Sequence, residues 1–102
     1  MPIRHVVLFR FVDGVDDDRV DALAAGLDRM PEATGVVKAD RYEHGRALGL
    51  NPGSWDYAVV AEFESAEAYA AYRDHPEHQA LIRDLLRPIV AERCSVQFEL
   101  PG

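Results

Sequence analysis

Nine residues near the start of the chain decide the fold: Ile3-Arg4-His5-Val6-Val7-Leu8-Phe9-Arg10-Phe11. Successive side chains of a strand point to opposite faces. One face of this segment carries His5, Val7, Phe9 and Phe11, and the other carries Arg4, Val6, Leu8 and Arg10. A strand with one face in water is polar at every second position, whereas here both faces carry apolar side chains. We therefore predict the first strand of a sheet that helices cover on one side and a second subunit covers on the other.

The composition is that of an ordinary folded protein, with 48% hydrophobic and 28% charged residues, and the length predicts a single domain over residues 1–102. The net charge of −7 disfavours nucleic acid and anionic membrane surfaces as partners. No apolar run approaches the roughly 20 residues that cross a bilayer, and no secretory signal pattern opens the chain. These two features predict a cytoplasmic protein. Cys94 is the single cysteine, so we expect no internal disulfide, which agrees with a reducing compartment.

Hydrophobic spacing and turn residues predict the remaining elements in order. These are a helix from Asp16 to Met30 that Pro31 stops, a strand over 36–46, a loop over 47–54, a strand over 55–63, a helix from Ser65 that breaks at 74–76 and restarts, and a strand over 93–100. The order predicts an α+β, ferredoxin-like fold, in which helices cover one face of a four-stranded antiparallel sheet. Two such sheets could close a barrel through the bare faces, which would carry Val6, Leu8, Ala58 and Val60.

Four histidines are the candidates for proton transfer, since the chain has no glycine-rich phosphate loop, CxxC, HExxH or serine elbow. His5 has apolar neighbours, and burial there would lower its pKa and keep it neutral, as suits a base. The alternative for His5 is a core histidine that is hydrogen-bonded to the backbone. His44 stands between Glu43 and Gly45 at a strand end, and we expect it to be exposed.

His75 and His78 are three residues apart, so they can lie on one side of a helix start. His75 could instead cap that helix, and His78 could be a surface residue. A metal site would use His5 as the third ligand, but Pro76 breaks the regular spacing between the two histidines. The three adjacent aspartates at 16–18 point in different directions on a helix and favour a cap. We therefore predict neither a metal nor a cofactor.

Two tyrosines are expected near the same volume as His5. Tyr57 shares a strand face with Trp55 and Val59, and Tyr72 lies three residues after Tyr69 on one helix face. A buried phenol can donate a hydrogen bond to a developing oxyanion. It can equally lie in the core with its hydroxyl group paired, and helix-to-sheet packing explains Tyr69 as well.

Taken together, these motifs resemble the stress-responsive alpha/beta-barrel (Dabb) domain family, also called the dimeric alpha+beta barrel domains. The matching pieces are the 3–11 opening with His5, Phe63-Glu64-Ser65, Tyr72 followed by His75-Pro76-Glu77-His78, and the closing strand around Val96 and Phe98. The resemblance covers nearly the whole chain. It implies a homodimer in which two sheets close a barrel, with a pocket between sheet and helices in each subunit.

The resemblance also implies an activity, because the family includes a plant polyketide cyclase, olivetolic acid cyclase. That relative closes a linear poly-β-ketone by aldol condensation without a cofactor. By resemblance, His78 would take a proton from the substrate beside Tyr72, and His5 and Tyr57 would stabilise the resulting enolate. Tyr57 stands where that relative has a pocket histidine. The apolar wall would comprise Val7, Phe9, Trp55 and Val59, and His75 would support His78 from behind.

Two other functions stay open at this level. One is a cofactor-free monooxygenase, since the same barrel hosts oxidations of aromatic polyketides in a similar apolar pocket. The other is a stress-related or small-molecule-binding dimer whose histidines are structural, because a fold does not fix a function. All three functions use a homodimer, and a small apolar or polyketide-like molecule is its candidate ligand.

Overall fold

The computed structural model describes residues 1–101 and contains four strands, which we number β1–β4, and four α-helices, α1–α4. In chain order they are β1 Ile3–Phe11, α1 Asp17–Asp28, α2 Met30–Thr34, β2 Tyr42–Arg46, β3 Tyr57–Phe63, α3 Ala66–Asp74, α4 Pro76–Leu81 and β4 Val90–Glu99. A short 3-10 turn over Ala39–Arg41 precedes β2, and a π-helical turn over Ile82–Leu86 follows α4. No helix of this described part is long and apolar enough to cross a membrane.

The strands form one antiparallel sheet in the order β2-β3-β1-β4. This arrangement confirms the predicted ferredoxin-like α+β fold. In the register, Val7 lies opposite Val59, and Phe9 lies opposite both Tyr57 and Arg93. These residues therefore belong to the same face of the sheet, because directly paired residues point to the same side.

The helix starts and breaks have local causes. Asp16 caps α1 by accepting the backbone N–H of Arg19, as the aspartate run predicts. Ser65 caps α3 by accepting the backbone N–H of Ala68. His75 is extended, with ψ of 136°, because a residue before proline avoids helical angles. This break separates α3 from α4 and sets the direction in which α4 presents His78.

Several predicted boundaries were wrong. Pro31 does not stop a helix but lies in the first turn of α2, where a missing N–H costs nothing. The strand predicted from residue 36 begins at Tyr42, because the 3-10 turn comes first. The third strand begins at Tyr57, two residues later than predicted, and the last strand begins at Val90, three residues earlier.

The two sheet faces differ in burial. The helix side carries the core, in which Leu23, Ala61 and Phe63 are completely buried. The far side carries Val6 and Val60 together with Val96 and Phe98, which are 55% and 45% exposed in the single chain. The far face is therefore apolar and open to solvent in one chain.

Candidate functional site

A cavity of about 400 Å³ lies between the helix side of the sheet and the helices, within the usual size range of small-molecule sites. Its polar lining includes His5, Tyr69, Tyr72, His78 and three arginines. Its apolar lining includes Val7, Phe9, Leu23, Leu27, Val59, Leu81 and Leu86. The structure thus brings together six of the eight residues predicted for the catalytic group and the pocket wall, and Trp55 and Tyr57 lie outside this lining.

His78 sits in the first turn of α4 and presents a base to this cavity. Its Nδ1 lies 3.1 Å from the backbone carbonyl oxygen of Arg73. Because a carbonyl oxygen only accepts, Nδ1 must carry the proton, and in the neutral ring Nε2 keeps its lone pair. Burial lowers the pKa of His78, against the opposing effect of the Arg73 hydrogen bond. His78 is therefore a neutral imidazole at neutral pH, and Nε2 is its basic atom.

His5 has the opposite arrangement of its ring proton. Its Nδ1 lies 2.8 Å from Nε2 of the Gln97 side chain, and an amide nitrogen donates, so Nδ1 accepts and Nε2 carries the proton. Burial above all, then the neighbouring His78 and Arg93, lowers the pKa of His5 to about 4. His5 is thus a neutral hydrogen-bond donor through Nε2–H, and the two cavity imidazoles hold complementary tautomers.

Tyr72 lies against His78, with ring centroids 4.2 Å apart. Its hydroxyl oxygen is 3.3 Å from the hydroxyl oxygen of Tyr42. Burial raises the pKa of Tyr72, and the hydrogen bond with Tyr42 partly offsets that rise. When Tyr42 donates, the proton of Tyr72 is free to serve a ligand. Sequence reasoning missed Tyr42, which shares the helix-side face through its pairing with Ala61.

His75 has a structural role as the N-cap of α4. Its Nδ1 accepts the backbone N–H of Glu77 at 3.1 Å and caps α4. His75 therefore fixes the start of the helix that carries His78. Within residues 1–101, no three His, Cys, Asp or Glu side chains converge on a point that could hold a metal ion, so His5, His75 and His78 do not form the three-ligand alternative.

We predicted that His44 would be exposed, and this was wrong. Its contacts also explain why the Tyr57 hydroxyl lies outside the cavity. The His44 side chain is only 10% exposed, and its Nε2 lies 2.6 Å from Oδ1 of Asp28 at the end of α1. Its Nδ1 lies 2.7 Å from the Tyr57 hydroxyl oxygen. Because a carboxylate only accepts, Nε2–H donates to Asp28, and in the neutral ring Nδ1 accepts from Tyr57. The Tyr57 hydroxyl is thus bonded at this cluster outside the cavity.

Trp55 also differs from its predicted place in the pocket wall. It precedes β3, and the guanidinium carbon of Arg10 lies 4.5 Å from the centre of its ring. This is cation–π geometry. Trp55 lines a separate surface depression that also includes Phe11 and Asp56. Its contact with Arg10 therefore belongs to a different part of the surface from the cavity.

Comparison with known proteins identifies a matching family model, related proteins and similar solved structures. The family model for the Stress responsive A/B Barrel Domain matches residues 3–100. The stress-response A/B barrel domain-containing protein HS1 of Arabidopsis thaliana is 32% identical over 79 residues, which is 76% of this chain and 71% of that protein.

Two solved structures are similar over almost the whole chain. A dimeric ferredoxin-like protein of unknown function from Thermobifida fusca is 40% identical with a TM-score of 0.88, over 98% of this chain and 92% of that chain. The hydroxynitrile lyase of Passiflora edulis has a TM-score of 0.84 over 98% of this chain and 94% of that chain. Its identity is 14%, so this second likeness shows the fold alone.

Proposed function

The chain belongs to the family of stress responsive A/B barrel domains, as its motifs predicted, and we propose that it is a dimeric, cofactor-independent enzyme of the polyketide cyclase type. Its chemistry is proton removal from a carbon next to a carbonyl group, followed by ring closure. The single observation that supports this function is the pair of complementary imidazoles in one cavity. His78 offers a lone pair on Nε2, and His5 offers a proton on Nε2.

In the proposed reaction, Nε2 of His78 takes a proton from a methylene group between two carbonyls. The C–H electron pair moves into the carbonyl and forms an enolate, whose oxygen accepts hydrogen bonds from His5 Nε2–H and the Tyr72 hydroxyl. The enolate carbon then attacks a second carbonyl of the same chain, and the new alkoxide takes the proton back from His78. A preorganised donor of this kind contributes roughly 3 kcal/mol in other enzymes.

The lowered pKa values suit these two roles. A base must be unprotonated at working pH, and burial lowers the pKa of His78. A neutral imidazole such as His5, whose pKa is lowered to about 4, donates a proton in a hydrogen bond without losing it. Because no carboxylate lines the cavity among the described residues, no negative charge there stabilises the imidazolium before substrate binds.

Exchange of substrate hydrogen tests this chemistry before the natural substrate is known. The probe is ethyl butanoylacetate in deuterium oxide, whose methylene protons are followed by NMR. We expect the protein to accelerate exchange, and His78→Gln to slow the catalysed rate by roughly 100-fold, a typical loss for a general base. His44→Gln is the matched control, since it removes a half-buried histidine outside the cavity and should leave the rate unchanged.

The outcomes separate the candidate functions. Exchange no faster than in buffer, with the probe bound, would favour a binding protein. Oxygen consumption during turnover would favour a monooxygenase. A His78→Gln variant that folds and exchanges at the wild-type rate would contradict the cyclase-type mechanism. The cytoplasmic location stays a prediction.

The dimer belongs to the same proposal. The Thermobifida fusca relative is dimeric, and the far sheet face here exposes Val96 and Phe98. A second copy would cover this face and close the barrel between two sheets. We expect light scattering to give twice the mass of one chain, and Phe98→Asp to give the mass of a monomer. Leu48→Asp is the control, because Leu48 is an exposed loop residue and its replacement should keep the dimer.

A further inference from the structure

The cavity has a charge opposite to that of the whole chain. The chain carries 18 Asp and Glu against 11 Lys and Arg, for a net charge of −7. The cavity lining nevertheless includes Arg73, Arg87 and Arg93 and no Asp or Glu among the described residues. Although the protein is acidic, all the charged side chains that line this recess are positive, which would attract an anionic ligand.

Two of these arginines have no ion-pair partner of their own. Arg73 is held by Asp74, whose two carboxylate oxygens each lie 2.9 Å from a guanidinium nitrogen. In the described part of the chain, no carboxylate lies within ion-pair distance of Arg87 or Arg93. The charges of these two guanidinium groups are therefore available to a ligand.

Arg87 and Arg93 approach the cavity from different elements. Arg93 lies on β4 opposite Phe9, which puts it on the helix side of the sheet, and its charge contributes to the lowered pKa values of both His5 and His78. Arg87 follows the π-helical turn, where its backbone N–H donates to the carbonyl of Ile82. Both arginines are exposed, so they form the solvent side of the recess.

The buried part of the lining is apolar. Leu23, Leu27 and Leu81 line the same cavity and are 0%, 3% and 6% exposed. The recess therefore has an apolar interior and a cationic rim. This polarity matches a molecule with a hydrocarbon body and a negative end.

We propose that the cavity binds an amphipathic carboxylate, with its acyl chain against the three leucines and its carboxylate on Arg87 and Arg93. Planar guanidinium groups match carboxylates in geometry as well as charge. This inference rests on the proposed function and narrows its substrate class from neutral ketones to keto acids. A carboxylate bound there would also offset the charge of Arg93 and make His78 a stronger base.

Calorimetric titration of the full chain with three eight-carbon probes tests the inference. Octanoate, octanol and octylamine share an apolar body and differ in charge. We expect octanoate to bind roughly tenfold or more tightly than octanol, as for a hydrogen-bonded charge pair, and octylamine to bind most weakly. Arg87→Gln and Arg93→Gln should each weaken octanoate roughly tenfold and leave octanol unchanged.

Arg83→Gln is the matched control. Arg83 is an exposed arginine near Arg87, it is bound to Asp84, and it does not line the cavity, so its loss should leave octanoate affinity unchanged. Because Arg83, Arg87 and Arg93 are all exposed, the three variants should fold alike, which circular dichroism checks. Added salt should weaken the binding of octanoate and not of octanol.

Failure of this inference can be told apart from failure of the proposed chemistry. Equal affinity for octanoate and octanol, or wild-type octanoate affinity in both cavity arginine variants, would overturn the carboxylate assignment even if exchange depends on His78. The predicted octanoate preference together with exchange that is independent of His78 would keep the carboxylate site and remove the enzyme mechanism.

Discussion

Histidine and tyrosine side chains lie together in two regions of this protein, the cavity and a cluster outside it. Only in the outer cluster does a carboxylate bond to the histidine. In the cavity, His5 and His78 each bond one ring nitrogen to the protein, to Gln97 and to the Arg73 carbonyl respectively. In the outer cluster, which comprises Asp28, His44 and Tyr57, both ring nitrogens of His44 are bonded. The histidines of the cavity therefore each keep one ring nitrogen without a protein partner in the described structure, whereas His44 keeps none.

The difference separates a reactive arrangement from a structural one. A histidine with both nitrogens bonded to protein groups has no lone pair or N–H left for a ligand. His44 therefore ties β2 and β3 to the end of α1, through Tyr57 and Asp28. Each cavity histidine keeps one nitrogen for a ligand, and burial without a carboxylate keeps both rings neutral. A nearby tyrosine does not by itself identify a catalytic histidine, whereas an unpaired ring nitrogen facing a cavity is informative.

The largest expected effect concerns the pH dependence of stability at His5. Its pKa is lowered to about 4 in the folded protein, against about 6.5 in an unfolded chain. Between these values the unfolded chain binds a proton that the folded protein does not, so the free energy of unfolding decreases as pH falls from 6.5 to 4. Because His5 is only half-buried, we expect about 2 kcal/mol rather than the full shift.

Urea unfolding of wild type and His5→Gln at matched pH values measures this contribution. The variant should lose less stability than wild type between pH 6.5 and pH 4, and the difference between the two curves isolates His5 from titrating carboxylates. Protein concentration must be equal throughout, since dimer stability depends on it. Parallel curves would mean that His5 is hydrated and titrates like a free imidazole.

The sequence was sufficient for the sheet and for part of the cavity because those features follow local periodicity. Alternation along residues 3–11 put His5, Val7 and Phe9 on one face, and the register agrees. The Pro76 break placed His78 at the start of a new helix. These inferences need only the strand and helix repeats and one backbone restriction.

The remaining site residues depend on contacts between distant elements. Alternation puts Trp55, Tyr57 and Val59 on one face, but only Val59 lines the cavity. The Tyr57 hydroxyl is bonded to His44, and the Trp55 ring lies against Arg10. The burial of His44 requires Asp28 and Tyr57, from two other elements. Tyr42 reaches Tyr72 only once β2 and α3 are both in place. No local sequence pattern predicts these contacts, because each one joins residues from different elements.

A smaller effect is expected when the outer cluster loses its charge. Asp28→Asn keeps an acceptor for His44 Nε2–H but removes the negative charge that strengthens the bond. Bonds to charged groups contribute more than neutral ones, and the exposed Asp28 side chain limits the loss to about 1 kcal/mol in the free energy of unfolding. Glu64→Gln changes net charge equally at an exposed position without a hydrogen bond in the described structure, and should have no effect.

Combining Asp28→Asn with Tyr57→Phe tests whether the two bonds to the His44 ring depend on each other. Asp28→Asn weakens one of the two bonds that fix the His44 ring, and Tyr57→Phe removes the other. The second change then has less to disrupt, so the double variant should lose less stability than the sum of the singles. The exchange rate of ethyl butanoylacetate should stay at the wild-type value in all three proteins, because none of them alters the cavity. Additive losses would show that the two bonds act independently. A loss of exchange activity that parallels the loss of stability would join the outer cluster to the reactive site and remove the distinction between them.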